Sequence, residues 1–206
     1  MNVIRAELAK LRTLPITTFT ITGTIAVALL IAIALERSGE PVDVVPYVQA
    51  GFVLLGIIPV AHEHAGRQFS TTLLAVPARG QLLIGKTVAT LITLVLTAIA
   101  TALAQSERSV GAAAYLTLIG LLAYTVALLI RHLVPAVVGM LCLVLIVSLL
   151  LAAVTEHARW LPDRAAAELY RPTDSVLTAT TGTLVIGAWI AVLAAVAIRR
   201  FHRRDG

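Results

Sequence analysis

Apolar residues run along this chain in long blocks rather than in alternation. Six stretches carry no Asp, Glu, Lys or Arg: residues 15–35, 46–61, 87–106, 110–130, 133–155 and 175–198. A helix rises about 1.5 Å per residue, so roughly 20 mostly apolar residues cross the hydrocarbon of a bilayer. Five blocks reach that length. The second is shorter and crosses only if the segment His62-Glu63-His64 lies at the membrane boundary. The pattern predicts an all-α polytopic membrane protein, a single domain over 1–206. Its spans fall at about 15–35, 46–62, 86–106, 110–130, 133–154 and 176–198. The first block is too long for a secretory leader, and five more follow it.

The polar intervals differ among themselves. In residues 2–13, Ile4, Leu8 and Leu11 share a helical face, with Arg5, Lys10 and Arg12 on the others. This is the pattern of a short amphipathic helix lying on the membrane surface. Residues 63–80 form the longest connection on that side. On the other side, the stretch 156–174, with Trp160, Leu161 and Tyr170, suits a helix at the lipid–water boundary.

Charge sets the expected orientation. With the N-terminus in the cytoplasm, 11 of the 16 basic residues fall inside: Arg5, Lys10, Arg12, Arg67, Arg79, Lys86, Arg131, Arg199, Arg200, Arg203 and Arg204. Arg37, Arg108, Arg159, Arg164 and Arg171 fall outside. The positive-inside rule then places both termini in the cytoplasm of a multi-pass cell-membrane protein. The net charge of +5 is thus a topology signal, and no basic face points to nucleic acid. Cys142 is the sole cysteine, so no intrachain disulfide is possible.

Residues 80–87, Gly-Gln-Leu-Leu-Ile-Gly-Lys-Thr, match the phosphate-loop pattern at every fixed position. Context argues against an ATP site. A charge-free block follows, no Asp sits where it would hold Mg²⁺, and the longest inner segment is too short for a nucleotide-binding domain. Gly80 and Gly85 are expected instead to permit a turn and close packing beside Lys86, at the inner boundary of span three. His62-Glu63-His64 lacks the spacing of His-Glu-x-x-His, because Gly66 occupies the fifth position. An intramembrane metalloprotease built on these residues is the alternative reading, and a non-transporting scaffold is another. Thr17, Thr20 and Thr24 form one hydroxyl stripe; Thr90, Thr93, Thr97 and Thr101 form another. Such stripes either bind helices together or line a path. Tyr115, Tyr124 and Trp189 read as packing residues. No Asp, Glu, Lys or Arg lies within the six charge-free blocks, so energy for uphill transport would enter from outside the membrane domain.

The segment 63–86 carries an acid, Glu63, then Leu73-Leu74, Pro77, Arg79, Leu82-Leu83 and Lys86. With the N-terminal surface helix and six spans, it resembles the signature segment of ATP-binding-cassette (ABC) exporter permeases of the type-2 membrane family. The resemblance implies a short coupling helix over 69–76, ended by Pro77, that docks in a groove of a cytosolic ATPase. Glu63, Arg67, Phe69, Leu73, Leu74, Pro77 and Arg79 would form that contact, and Arg131 with His132 a second one. It further implies two ATPase subunits that bind ATP and Mg²⁺, and a second permease copy, identical or related. This chain would hold no cofactor. The cargo would be amphipathic, such as a drug, an antibiotic or a hydrophobic peptide, moved outward with Thr17, Thr20, Thr24, Thr90 and Thr97 near its path. The chain departs from many members of the family in lacking a large extracellular domain.

Overall fold

The structure is a computed structural model that describes residues 3–38, 43–65, 79–103, 109–172 and 177–204. Its helices are α1 (Val3–Thr13), α2 (Pro15–Ser38), α3 (Val45–Ala65), α4 (Arg79–Ala102), α5 (Ser109–Ile130), α6 (Leu133–Val154), α7 (Pro162–Ala167) and α8 (Ala179–Arg204). No strand occurs among the described residues. Helices α2 to α6 and α8 each hold a segment long and apolar enough to cross a membrane. The protein is an all-α polytopic membrane protein. Lipid offers the backbone no hydrogen-bond partners, so each crossing must satisfy its own amides internally. Six crossings bring both ends of the chain to one face, called here the terminal face; the opposite one is the far face.

Helices α3 and α5 form the centre. α5 packs against α3, α4, α6 and α8. Phe52 and Ile57 of α3 meet Leu116, Ile119 and Leu122 of α5, with Leu94, Met140 and Ile186 arriving from α4, α6 and α8. The crossing is close because Gly56 has no side chain. A Cβ there would collide with the backbone carbonyl of Gly120. Small residues at such a crossing let two backbones gain dispersion contact that larger side chains would prevent. By contrast α2, α6 and α8 leave Phe19, Leu30, Val134, Leu150, Leu184 and Val192 exposed. Lipid tails are as apolar as these side chains, so a lipid-facing surface of this kind carries no hydrophobic penalty.

Local sequence explains the breaks. Pro15 opens α2 at a position whose amide needs no partner, one residue after α1 ends. Pro59 sits inside α3 and removes one backbone bond, a loss that membrane helices tolerate where neighbours cover it. Arg131 has φ 61°, a left-handed conformation that is uncommon for a non-glycine residue. It closes α5 with its amide on the Ala127 carbonyl at 2.8 Å, and only His132 separates it from α6. Within α6, residues Leu143–Val147 adopt a π turn.

Two features differ from the sequence-based expectation. The third spanning helix begins at Arg79, so Gly80 lies in helix rather than a turn and Lys86 lies well inside α4. The backbone continues helical because α1 covers this end of α4 and buries Lys86. The stretch after α6 also does not simply lie across the far face. A 3₁₀ turn (Glu156–Trp160) and α7 fold back between α5, α6 and α8. Trp189, ten residues into α8, donates its indole N–H to the Trp160 carbonyl at 3.2 Å. Ten residues of helix span about 15 Å. Gly111 and Gly182 admit this recessed segment, since a Cβ on either would collide with the carbonyl of Leu169 or Ala165.

Gly56→Val should therefore break the α3–α5 crossing. It should cost more than the roughly 1–3 kcal/mol typical of overpacking, because a backbone carbonyl cannot rotate away. Gly23→Val, where nothing lies within 4 Å, should leave the thermal midpoint in detergent unchanged.

Candidate functional site

Polar side chains gather at two places in this apolar bundle. On the terminal face, α1 lies along the start of α4, with Val3 seated against Gly85. Glu7 and Lys86 are 7% and 6% exposed and are electrostatically coupled. The next residue, Thr87, gives its hydroxyl to the Leu83 carbonyl at 2.8 Å and lies 3.0 Å from the Tyr124 hydroxyl. The phosphate-loop match is thus helical backbone, its Lys covered by α1 and its Thr paired with a tyrosine. A phosphate cradle needs a loop whose amides and Lys all point at the ligand.

The expected docking residues fall unevenly. Glu63 lies in the last turn of α3 and Arg79 is the first residue of α4, so the two bracket the connection at the terminal face. The placement of their side chains, and all of Arg67, Phe69, Leu73, Leu74 and Pro77, lies outside the described residues. So does the expected short coupling helix. Arg131 is half-buried, and His132 is exposed at the start of α6. Among the described residues no three of His, Cys, Asp and Glu come together as metal ligands.

The threonine stripes mostly satisfy themselves. The hydroxyls of Thr20, Thr24, Thr93, Thr97 and Thr101 each bond the carbonyl four residues earlier, at 2.7–2.9 Å. Thr20 and Thr24 line a sideways groove of about 590 Å³ between α2 and α3. Thr17 and Thr90 are buried, and their hydroxyls have no hydrogen-bond partner.

The far face holds the larger site. The recessed segment, α3, α5 and α6 enclose an open cleft of about 980 Å³. Tyr115 of α5 donates its hydroxyl to Gln49 of α3 at 2.9 Å, and its ring meets Tyr170 at 4.8 Å between centroids, inclined by 56°. Asp163, in the first turn of α7, is 6% exposed, and its Oδ1 has no hydrogen-bond partner. Arg164 reaches back to Ser148 of α6 at 3.4 Å. Burial pushes the Asp163 carboxyl above the usual carboxylate range, opposed by hydrogen bonds from Ser148 and backbone amides and by Arg164. Burial, aided by Asp43, pushes the Tyr170 phenol up to about 12, against Arg171 and Arg164.

The sequence reading passed over Gln49, Asp163, Arg164 and Glu168, and took Tyr115 as packing. Signals existed. Gln49 is a lone amide in an apolar span, and Gly111 and Gly182 stand near the far ends of α5 and α8. Neither shows that the 156–171 stretch folds back to meet them.

Two predictions follow from burial. Glu7→Leu removes an acid that offsets the burial of the Lys86 ammonium and should lower stability, whereas Glu7→Leu with Lys86→Leu should cost less. Thermal unfolding in detergent measures both. For Asp163, a raised folded-state pKa means the folded protein holds the proton more tightly. That stability is present below the unfolded pKa and is lost as pH rises through the folded one. Asp163→Asn should therefore raise the thermal midpoint at neutral pH, and the gain should shrink towards pH 4. Comparison with protein-family models and with curated proteins gives no match to either, so the geometry of the two polar clusters carries the functional reading.

Proposed function

We propose that this chain is the membrane-spanning permease subunit of an ABC exporter, driven by ATP hydrolysed on a separate cytosolic subunit. The observation that carries the reading is where the 63–86 pattern falls. It joins α3 to α4 on the same face as α1, with Glu63 and Arg79 at the two helix ends. The excess of Lys and Arg on that side supports a cytoplasmic placement of the face.

The mechanics follow from the packing. A partner that pushes on the 66–78 connection moves the start of α4, and α1 moves with it because Glu7, Leu11 and Val3 are held against α4. α2 packs mainly on α3, and α6 on α3 and α5; both leave most of their surface thinly covered, which suits helices that rock against the centre. No Asp or Glu lies in the six spanning segments, which suits a device whose energy arrives from outside the bilayer. A second permease copy would cover part of the exposed apolar surface. The sideways groove between α2 and α3, apolar apart from Thr20, Thr24 and Tyr47, suits an amphipathic cargo arriving from the lipid.

The test is co-expression with the genes that neighbour this one, followed by purification in mild detergent. An ATPase subunit should accompany the chain, and Glu63→Ala or Arg79→Glu should weaken that association severalfold while leaving expression and monodispersity unchanged. Absence of any ATPase from the wild-type complex would overturn the reading. Full association in both variants would remove the two charges from the contact.

A further inference from the structure

We propose that the far-face cleft is a binding site for an amphipathic organic cation, a primary, secondary or tertiary ammonium with an apolar body, which pairs with the carboxylate of Asp163. The proposal concerns binding alone and stands whether or not an ATPase drives the protein.

Three independent observations converge on it. The first is the carboxyl of Asp163, buried yet with an oxygen that no group of the protein satisfies. A buried acceptor left unpaired is costly, and more so when charged, so such a group is accounted for where something else supplies the donor. The second is the aromatic wall. Tyr115 and Tyr170 line the cleft with their rings in contact, and a cation over such a face gains electrostatically. The third is α6. Its π turn carries Val144 and Leu145 into the cleft, and Leu149 continues the same apolar wall. Single π turns inside helices recur at functional sites.

Charge selects a cation over an anion. Three arginines line the cleft, but two are committed within the protein. Arg159 bonds the Glu156 carbonyl at 2.8 Å and its carboxylate at 3.0 Å. Arg164 bonds Ser148. An anion would compete with those bonds, whereas an ammonium meets an acceptor that has none. The groups around the carboxyl are Ser148 from α6, Arg164 and Glu168 from the recessed segment, Tyr115 from α5, and Asp43 before α3, which acts on both tyrosines. Binding of a cation favours the ionised form of Asp163. Affinity should therefore fall as pH is lowered through the raised range of that carboxyl.

The experiment uses the full chain in lipid nanodiscs, with empty discs subtracted. Dansylcadaverine is the ammonium probe, and its N-acetyl derivative is the uncharged control, both read by fluorescence polarisation. The ammonium form should bind saturably and at least roughly tenfold more tightly than the acetylated form, the range of one hydrogen bond to a charged group. Asp163→Asn should abolish that preference and the pH dependence. Leu149→Trp, on the exposed wall, should block the cleft and weaken both probes, and it keeps the test decisive should Asp163→Asn fail to assemble. Equal affinity of the wild type for both probes would sink the proposal. So would an Asp163→Asn protein that keeps the preference, or a Leu149→Trp protein that binds as the wild type does.

Discussion

At Gly56 and Gly120 the backbones of α3 and α5 approach so closely that one added carbon atom would strike a carbonyl. In a bilayer no solvent drives helices together, so contact at this distance supplies what the hydrophobic effect would supply in water. The rest of the bundle is arranged around that crossing. α4 fits Leu94 against Gly120, α6 contacts both central helices, and α8 rests on α5. Helices further out have fewer neighbours and show more apolar surface.

A bundle held by close packing has little room for polar groups, which makes their positions informative. They collect at the two ends. At the terminal face the buried pair Glu7 and Lys86 lies where α1 is laid over α4, and the Thr87–Tyr124 contact carries the polar cluster on to α5. At the far face a connection between two spans folds inward and delivers Asp163, Arg164 and Tyr170 below the ends of α6 and α8. Both clusters depend on a glycine accepting a neighbour at contact distance: Gly85 for α1, Gly111 and Gly182 for the recessed segment.

The two ends suit different tasks under the proposed function. The terminal face has a packed corner, α1 on α4, at the helix end that follows the connection through which a partner would act. The far face has an open, mixed polar and apolar cleft with an unsatisfied acceptor. The threonines between them contribute little polarity, because most give their hydrogens to their own helix.

The number of spans, their approximate limits and the all-α class follow from the sequence alone, because long charge-free blocks have one low-energy state in lipid and that state is helical. The amphipathic face of residues 2–13 was equally legible, since periodicity is a local property. Lys86 was readable as a cation beside a span, but not as a buried one, because its burial depends on α1, distant in sequence. The same holds for Asp163. By sequence it belongs to a polar connection between two spans, where a carboxylate would be hydrated and ordinary. Only the tertiary fold, by turning that connection back between three helices, removes its water and leaves one oxygen without a partner. Local pattern determines which segments cross; contacts between distant segments decide which of the remaining polar groups are buried, and burial is what changes their chemistry.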